Sequence, residues 1–208
     1  MEIKVCGMRD RDNCTRLLTE VAPDWMGLIF YAKSPRFVSE EMAVYLQPLP
    51  VKKVGVFVRE TEKEMLRLST LFGLSALQLH GGETIDEVKS LRESTDLELW
   101  KVVSVGETID WDALAPFVPY VNKFLFDTAT AAHGGSGKQF DWQLIETYPF
   151  ATGFYLSGGI NESHASALGG LKQRLPRLLG LDLNSGFEVA PGLKNIEKLQ
   201  VFTQNLSS

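Results

Sequence analysis

The sequence has little that would connect it with a membrane or an oxidising compartment. It contains two cysteines, Cys6 and Cys14, which give neither a disulfide framework nor a CxxC metal motif. No hydrophobic run approaches the ~18 residues that a membrane-spanning helix needs. The first residues lack the basic region and the long apolar stretch of a signal peptide. We therefore expect a reduced, cytoplasmic protein with no membrane partner.

The chain also lacks an excess of positive charge. Its 208 residues include 21 lysines and arginines against 26 aspartates and glutamates, so the net charge is −5. A nucleic-acid-binding surface needs clustered basic residues, and this balance disfavours one. A small anionic ligand is compatible with it, because a few local cations or backbone amides can hold an anion. The three histidines show no common spacing that predicts a metal site.

The chain does contain a regular alternation of short apolar segments with helical patterns. Eight apolar segments predict strands: Ile3–Cys6, Met26–Phe30, Val54–Val58, Ala76–Leu79, Leu99–Val103, Lys123–Phe126, Gly153–Leu156 and Leu178–Leu183. Helix starts are predicted at Asp10, Ser39, Asp141 and Asn161, and at the capping-box pairs Thr61–Glu64 and Thr84–Glu87. We expect an α/β protein in which residues 1–208 form one closed (β/α)8 barrel, a TIM barrel. An open doubly wound sheet is the alternative.

Polar side chains collect at the predicted carboxyl ends of the strands, where barrel proteins place their active sites. Cys6 ends the first strand, and Asp127 follows the sixth. His80 ends the fourth strand, Asp182 lies in the eighth, and Arg36 lies on the loop after the second. Purely structural roles are the alternatives: a buried small thiol, a carboxyl that caps a loop, a hydrogen-bonded strand-end histidine and a solvated arginine.

Two loops have the composition of a phosphate site. Gly158 and Gly159 follow the seventh strand and precede a helix, and Ser185 and Gly186 follow the eighth. Backbone amides can approach a phosphate closely at such positions, and barrels often bind phosphate with the loops after strands seven and eight. The alternative is that these glycines only allow tight turns.

A thiol and a carboxyl on strands one and six lie on opposite sides of an eight-stranded barrel mouth. A substrate between Cys6 and Asp127 could receive a proton on one side and lose a proton on the other. The thiol serves as a base if nearby positive charge lowers its pKa, and the carboxyl serves as an acid if burial raises its pKa. We expect Cys6 to be reachable and partly ionised, and Cys14 to be buried and unreactive.

Short motifs occur in a specific order from residue 4 to residue 186. They are Lys4-Val5-Cys6-Gly7, Gly27-Leu28-Ile29-Phe30, Lys33-Ser34-Pro35-Arg36, Gly55-Val56-Phe57-Val58, Leu77-Gln78-Leu79-His80-Gly81, Phe126-Asp127-Thr128, Gly134-Gly135-Ser136-Gly137-Lys138 and Asn184-Ser185-Gly186. In these motifs and their order along the chain, the sequence resembles the phosphoribosylanthranilate isomerase family of tryptophan biosynthesis. Three residues near the phosphate loops differ from those that the family more often shows: Ser157, Asn184 and Phe187.

The resemblance implies an Amadori rearrangement of N-(5-phosphoribosyl)anthranilate to carboxyphenylamino-deoxyribulose 5-phosphate. It implies that Asp127 protonates the furanose ring oxygen and that Cys6 removes the proton from C2′. It places Arg36 on the anthranilate carboxylate, the two glycine-containing loops on the phosphate, and His80 and Asp182 in supporting roles. The partner is then a phosphorylated small molecule, with no cofactor and no metal, in a monomer or a homodimer.

Other functions remain as alternatives. A histidine-pathway aminoaldose isomerase performs the same rearrangement, but that family consists of two similar half-barrels and uses an aspartate where this chain has Cys6. A metal-dependent ribulose phosphate epimerase needs a His/Asp metal set that the sequence lacks. A non-catalytic phosphosugar-binding barrel needs neither Cys6 nor Asp127. The Gly-rich segment 134–138 is a candidate lid, or else a mobile surface loop.

Overall fold

The barrel strands begin and end close to their predicted positions. The computed structural model describes residues 1–128 and 141–206. Within these residues, eight parallel strands pair in chain order, and the eighth closes onto the first. Their bounds are β1 Glu2–Val5, β2 Trp25–Ile29, β3 Lys52–Phe57, β4 Ala76–Leu79, β5 Glu98–Val105, β6 Lys123–Thr128, β7 Gly153–Leu156 and β8 Leu178–Leu183. The expected (β/α)8 barrel is confirmed, and the open sheet is excluded.

Helices follow the strands and pack around the barrel. They are α1 Arg11–Arg16, α2 Ala43–Leu46, α3 Glu62–Phe72, α4 Ile85–Ser94, α5 Trp111–Leu114, α6 Ala165–Arg174 and α7 Ile196–Leu206. A π-helical segment, Leu17–Val21, extends α1. Their buried apolar side chains, such as Leu68 in α3 and Phe202 in α7, share one core with the outer face of the strands. Among the described residues, no helix is long and apolar enough to cross a membrane.

The helix starts follow the predicted side-chain caps in part. Three caps form as predicted, those of Asp10, Thr84 and Asn161. Thr61 accepts a bond from the Glu64 N–H at 3.3 Å, but the Glu64 carboxylate binds Arg67 and leaves the capping box half formed. Ser39 precedes a 3-10 helix without capping it through its side chain. Asp141 caps only a 3-10 helix of four residues.

Aromatic side chains close the amino-terminal end of the barrel interior. The Nζ atom of Lys123 lies 4.5 Å from the ring centre of Trp25, 4.6 Å from that of Trp100 and 5.8 Å from that of Tyr155. Glu98 accepts a bond from the same ammonium at 2.7 Å. Cation–π contacts and an ion pair therefore fill this end, and the opposite end holds the polar cavity described below.

Two strands of the described residues lie outside the barrel. After β8, the chain forms a short antiparallel hairpin of β9 Glu188–Ala190 and β10 Leu193–Lys194. Sequence analysis did not predict this hairpin, because a strand of two or three residues leaves no measurable alternation of apolar and polar side chains. It brings Glu188 and Lys194 to the barrel mouth, where both side chains are buried.

Candidate active site

A cavity of about 400 Å³ opens at the carboxyl ends of the barrel strands. The residues that sequence analysis singled out all line this cavity: Cys6, Arg36, His80, Asp127, Gly158, Gly159, Asp182, Ser185 and Gly186. They are far apart in the sequence, and they meet because the ends of parallel barrel strands form one rim.

Asp127 lies one residue before the end of β6. One of its carboxylate oxygens accepts a bond from the Thr128 N–H at 2.9 Å, and the Ser157 hydroxyl also donates to this carboxylate. The other oxygen lies 3.8 Å from Nε2 of His80. Burial, helped by the negative charge of Asp182, raises the pKa of Asp127 to about 6, against the effect of the hydrogen bonds. A carboxyl in this state can donate a proton near neutral pH.

Cys6 follows β1 directly and is held in place by its neighbours. Its N–H donates to the carbonyl oxygen of Leu183 at 2.8 Å. On the adjacent strand, Gly27 leaves room for the thiol, because a Cβ atom there would lie 2.8 Å from Sγ. Only glycine fits this position without a shift of Cys6.

The environment of Cys6 corrects the expectation of a partly ionised thiol, although the residue lines the cavity. The residue is 4% exposed, and burial raises the pKa of its thiol. The nearby charges of Lys4 and Lys194 act to lower this pKa, whereas Asp182 acts to raise it. Cys14 is fully buried in the core, as expected, and burial raises its pKa to about 12.

The ion pair of Lys4 and Asp182, close to Cys6, was not predicted from the sequence. Lys4 Nζ donates to Asp182 Oδ1 at 2.8 Å, and both side chains are buried. The available signal was the spacing of Lys4, in β1, and Cys6, directly after it: side chains two residues apart in extended chain point to the same side. Gln78 lines the same cavity, and its buried Oε1 has no hydrogen-bond partner within the described part of the chain.

Arg36 is not a solvated loop residue, which excludes the alternative of a solvated arginine. Its side chain is 13% exposed and lines the cavity. Its Nε and Nη2 atoms donate to the carboxylate of Glu188 at 2.9 and 2.6 Å. No sequence pattern indicated this pair, because its members are 152 residues apart and Glu188 lies on the unpredicted hairpin.

The two glycine-containing loops meet at one side of the cavity. Gly158 has φ +85°, and a Cβ atom there would collide with the side chain and the N–H of Thr128. A Cβ atom on Gly186 would collide with the carbonyl oxygen of Ile160, in the loop after β7. Gly186 is therefore needed for the close approach of the two loops, and Gly158 for the close approach of its loop to the end of β6.

Two further expectations concern metals and a lid. Among residues 1–128 and 141–206, no cluster of His, Cys, Asp or Glu side chains could hold a metal ion. The candidate lid at 134–138 lies outside the described residues.

A (β/α)8 barrel with a polar cavity at the carboxyl ends of its strands is the architecture of a barrel enzyme. The family model for N-(5′-phosphoribosyl)anthranilate isomerase matches residues 3–205. The enzyme of this name from Parabacteroides distasonis is 41% identical over 99% of this chain and 93% of its own length. The enzyme of the same name from Phocaeicola vulgatus is 39% identical over 99% of this chain and 98% of its own length. The chain belongs to the N-(5′-phosphoribosyl)anthranilate isomerase family, enzymes of tryptophan biosynthesis.

Solved structures agree with this assignment. The phosphoribosylanthranilate isomerase of Thermotoga maritima is 32% identical, covers 100% of this chain and 98% of its own, and superposes with a TM-score of 0.83. A second structure of a phosphoribosylanthranilate isomerase, 29% identical with a TM-score of 0.83 and the same coverage, contains reduced 1-(o-carboxyphenylamino)-1-deoxyribulose 5-phosphate. A third contains monomers made from the dimeric Thermotoga maritima enzyme, at 29% identity and a TM-score of 0.82. The chain is an isomerase of this family.

Proposed function

We propose that Asp127 and Cys6 carry the two proton transfers of the isomerisation. Asp127 donates its proton to the furanose ring oxygen, and the C1′–O bond breaks as the nitrogen lone pair forms a protonated Schiff base. The Cys6 thiolate then takes the proton from C2′, and the C–H electron pair forms the C1′–C2′ double bond of the enolamine. Tautomerisation moves the hydroxyl proton of C2′ to C1′ overall and gives the ketone.

The observation that carries this proposal is the raised pKa of Asp127, about 6, in the cavity that also contains the Cys6 thiol. An ordinary surface aspartate holds almost no proton at neutral pH, whereas this carboxyl holds one in a useful fraction of molecules. Binding alone would not require a carboxyl with a raised pKa in the same cavity as a thiol. The pair therefore favours catalysis over the non-catalytic sugar-binding alternative.

The raised pKa of Cys6 fits a base that is needed only after ring opening. In the free site burial keeps the thiol protonated, although Lys4 and Lys194 lower its pKa. The protonated Schiff base brings a further positive charge into the cavity, and this charge favours the thiolate. The thiol releases its proton to solvent through the open cavity, and the thiolate is then present at the step at which C2′ must lose its proton.

The remaining site residues bind the two anionic ends of the substrate in this proposal. Arg36 binds the anthranilate carboxylate through its planar guanidinium. The backbone amides at Gly158–Gly159 and Ser185–Gly186 hold the phosphate. His80, close to Asp127, and Asp182, paired with Lys4, support the acid and the base.

We further propose that residues 1–208 act as one isomerase domain, as a monomer or a homodimer. A cytoplasmic location follows from the proposed reaction, because Cys6 must stay reduced and the cytoplasm keeps thiols reduced.

Turnover of N-(5-phosphoribosyl)anthranilate, followed by the loss of its fluorescence, tests the proposal. The purified wild type and the Cys14→Ala control should both turn over many substrate molecules, whereas Cys6→Ser should retain binding of the reduced product analogue with little turnover. The histidine-pathway aminoaldose serves as the competing substrate. Full activity of Cys6→Ser, or a preference for that aminoaldose, would contradict the assignment.

A further inference from the structure

The hairpin after β8 supplies two buried charges to the barrel mouth. Glu188 begins β9, and Lys194 ends β10. The side chain of Glu188 is 5% exposed and that of Lys194 is 0% exposed. Even a paired buried charge adds little net stability, because its desolvation offsets the attraction, so this pair in a short hairpin points to a role other than stability.

The carboxylate of Glu188 is surrounded by donors. It accepts bonds from Arg36 Nε at 2.9 Å, Arg36 Nη2 at 2.6 Å, Lys194 Nζ at 2.5 Å and the Gly192 N–H at 3.0 Å. These contacts hold the pKa of Glu188 below its usual range, so the group is ionised at neutral pH. Glu188 is therefore fully occupied within the protein and is not itself a substrate ligand.

The same contacts leave one edge of the Arg36 guanidinium available. Glu188 occupies the Nε–Nη2 edge, and Nη1 makes no hydrogen bond to any residue in 1–128 or 141–206. The Nη1–Nη2 edge can still donate two parallel bonds to a carboxylate. Gly7, at φ +64°, allows the arginine to lie this close, because a Cβ atom there would be 2.7 Å from Arg36 Cδ.

The charge of Lys194 sets the net charge of the cluster formed by Arg36, Glu188 and Lys194. Arg36 and Lys194 contribute two positive charges and Glu188 one negative charge, which leaves one positive charge facing the cavity. Without Lys194 the remaining pair would be neutral, and an incoming anion would face the ionised Glu188. Lys194 also donates to Asn184 Oδ1 at 2.8 Å, and its backbone N–H and carbonyl bind the Asn13 side chain at 2.8 and 2.9 Å.

We propose that Glu188 and Lys194 are positioning residues for recognition of the aromatic carboxylate. Glu188 orients the guanidinium of Arg36 through its Nε–Nη2 edge, and Lys194 cancels the charge of Glu188 so that the site keeps one net positive charge. This inference rests on the proposed function, in which Arg36 binds the substrate carboxylate.

The test compares two substrates, N-(5-phosphoribosyl)anthranilate and N-(5-phosphoribosyl)aniline, which lacks the carboxylate; chromatography follows product formation. Glu188→Gln and Lys194→Met should each raise KM for the anthranilate substrate by about tenfold or more. They should leave KM for the aniline substrate within about threefold, a selectivity that a general structural defect would not produce. Glu188→Gln should keep kcat for both substrates close to wild type, whereas Lys194→Met should lower kcat for both substrates alike, because the charge of Lys194 lowers the pKa of Cys6.

The double variant separates the charge argument from lost packing. Lys194→Met leaves a neutral pair, whereas Glu188→Gln combined with Lys194→Met restores one net positive charge on Arg36. The double variant should therefore bind the anthranilate substrate more tightly than Lys194→Met alone. If Lys194→Met does not fold, Glu188→Gln decides alone, because glutamine keeps the size of the native side chain and one acceptor oxygen and loses only the charge and the second acceptor.

Arg36→Met distinguishes failure of this inference from failure of the proposed function. If Arg36→Met raises KM only for the anthranilate substrate and Glu188→Gln raises KM for neither substrate, the positioning role is wrong and the proposed function stands. If Arg36→Met affects both substrates equally, the proposed carboxylate site is itself wrong. Glu146→Gln, which breaks an exposed ion pair with Arg174 at 2.8 Å, is the matched control and should change neither KM.

Discussion

Lys4 and Asp182 form a buried ion pair, 2.8 Å from Nζ to Oδ1, that acts on both proposed catalytic groups. The charge of Lys4 lowers the pKa of Cys6 and of Asp127, whereas the charge of Asp182 raises both. The strands β1 and β8 pair these two residues directly in register. The closure of the barrel thus places one ion pair where it influences the acid and the base together.

Breaking this pair should impair the base. In Lys4→Met the thiol of Cys6 loses its closest compensating charge, so its pKa rises further and kcat should fall by about tenfold or more. The variant should also lose about 3–5 kcal/mol of stability, because Asp182 remains buried without its partner. Lys53→Met removes another buried lysine, one that does not line the cavity, and should leave kcat near wild type. An unchanged kcat in a folded Lys4→Met would contradict this role.

Asp127 should make stability depend on pH. Its folded pKa, about 6, lies above the ordinary 3.8, so the folded state holds the proton more tightly than the unfolded chain. This contribution is fully present below pH 3.8 and is lost as the pH rises through about 6. In Asp127→Asn it is absent. Denaturant titrations at pH 4 and pH 7 measure the free energy of unfolding of both proteins. The value for the variant relative to that for the wild type should rise by up to about 3 kcal/mol from pH 4 to pH 7. The same difference at both pH values would exclude the raised pKa.

The two cysteines should differ in their reaction with an alkylating reagent. Because burial raises the pKa of both thiols, alkylation at pH 7 should be slow and should accelerate as the pH rises. Cys6 lines the cavity and should react first. The enzyme should lose activity in proportion to the labelling of Cys6, and the reduced product analogue should protect this thiol. Mass spectrometry of the labelled protein identifies the site. Loss of activity that follows the labelling of Cys14 would overturn the assignment of the base.

The phosphate loop offers a pair of glycine variants. Gly158→Ala places a Cβ atom against Thr128 at φ +85°, so it should distort the loop and raise KM several-fold. Gly169→Ala, in α6, meets open space and should be neutral or stabilise by about 0.5–1 kcal/mol. Measurements of KM test the expected distortion of the loop, and the melting temperature of each variant tests its stability. Equal KM values for the two variants would count against phosphate binding at Gly158.

The sequence predicted the strands and the cavity lining well because both follow from local patterns. A strand such as Gly153–Leu156 is apolar along its whole length, and the polar residue after it must lie at the barrel rim. Glu188 and Lys194 could not be predicted in this way, since their roles come from contacts with distant residues such as Arg36. The state of Cys6 also escaped prediction, because burial outweighs the neighbouring lysines and only the folded structure shows its extent.

Turnover of Asp127→Asn tests the central claim, that a protonated Asp127 opens the ring, most directly. The substitution keeps the shape of the side chain and removes its proton. With saturating N-(5-phosphoribosyl)anthranilate, kcat should fall by about 10²–10⁴-fold, while the reduced product analogue still binds. A kcat within about tenfold of the wild type would show that another group supplies the proton.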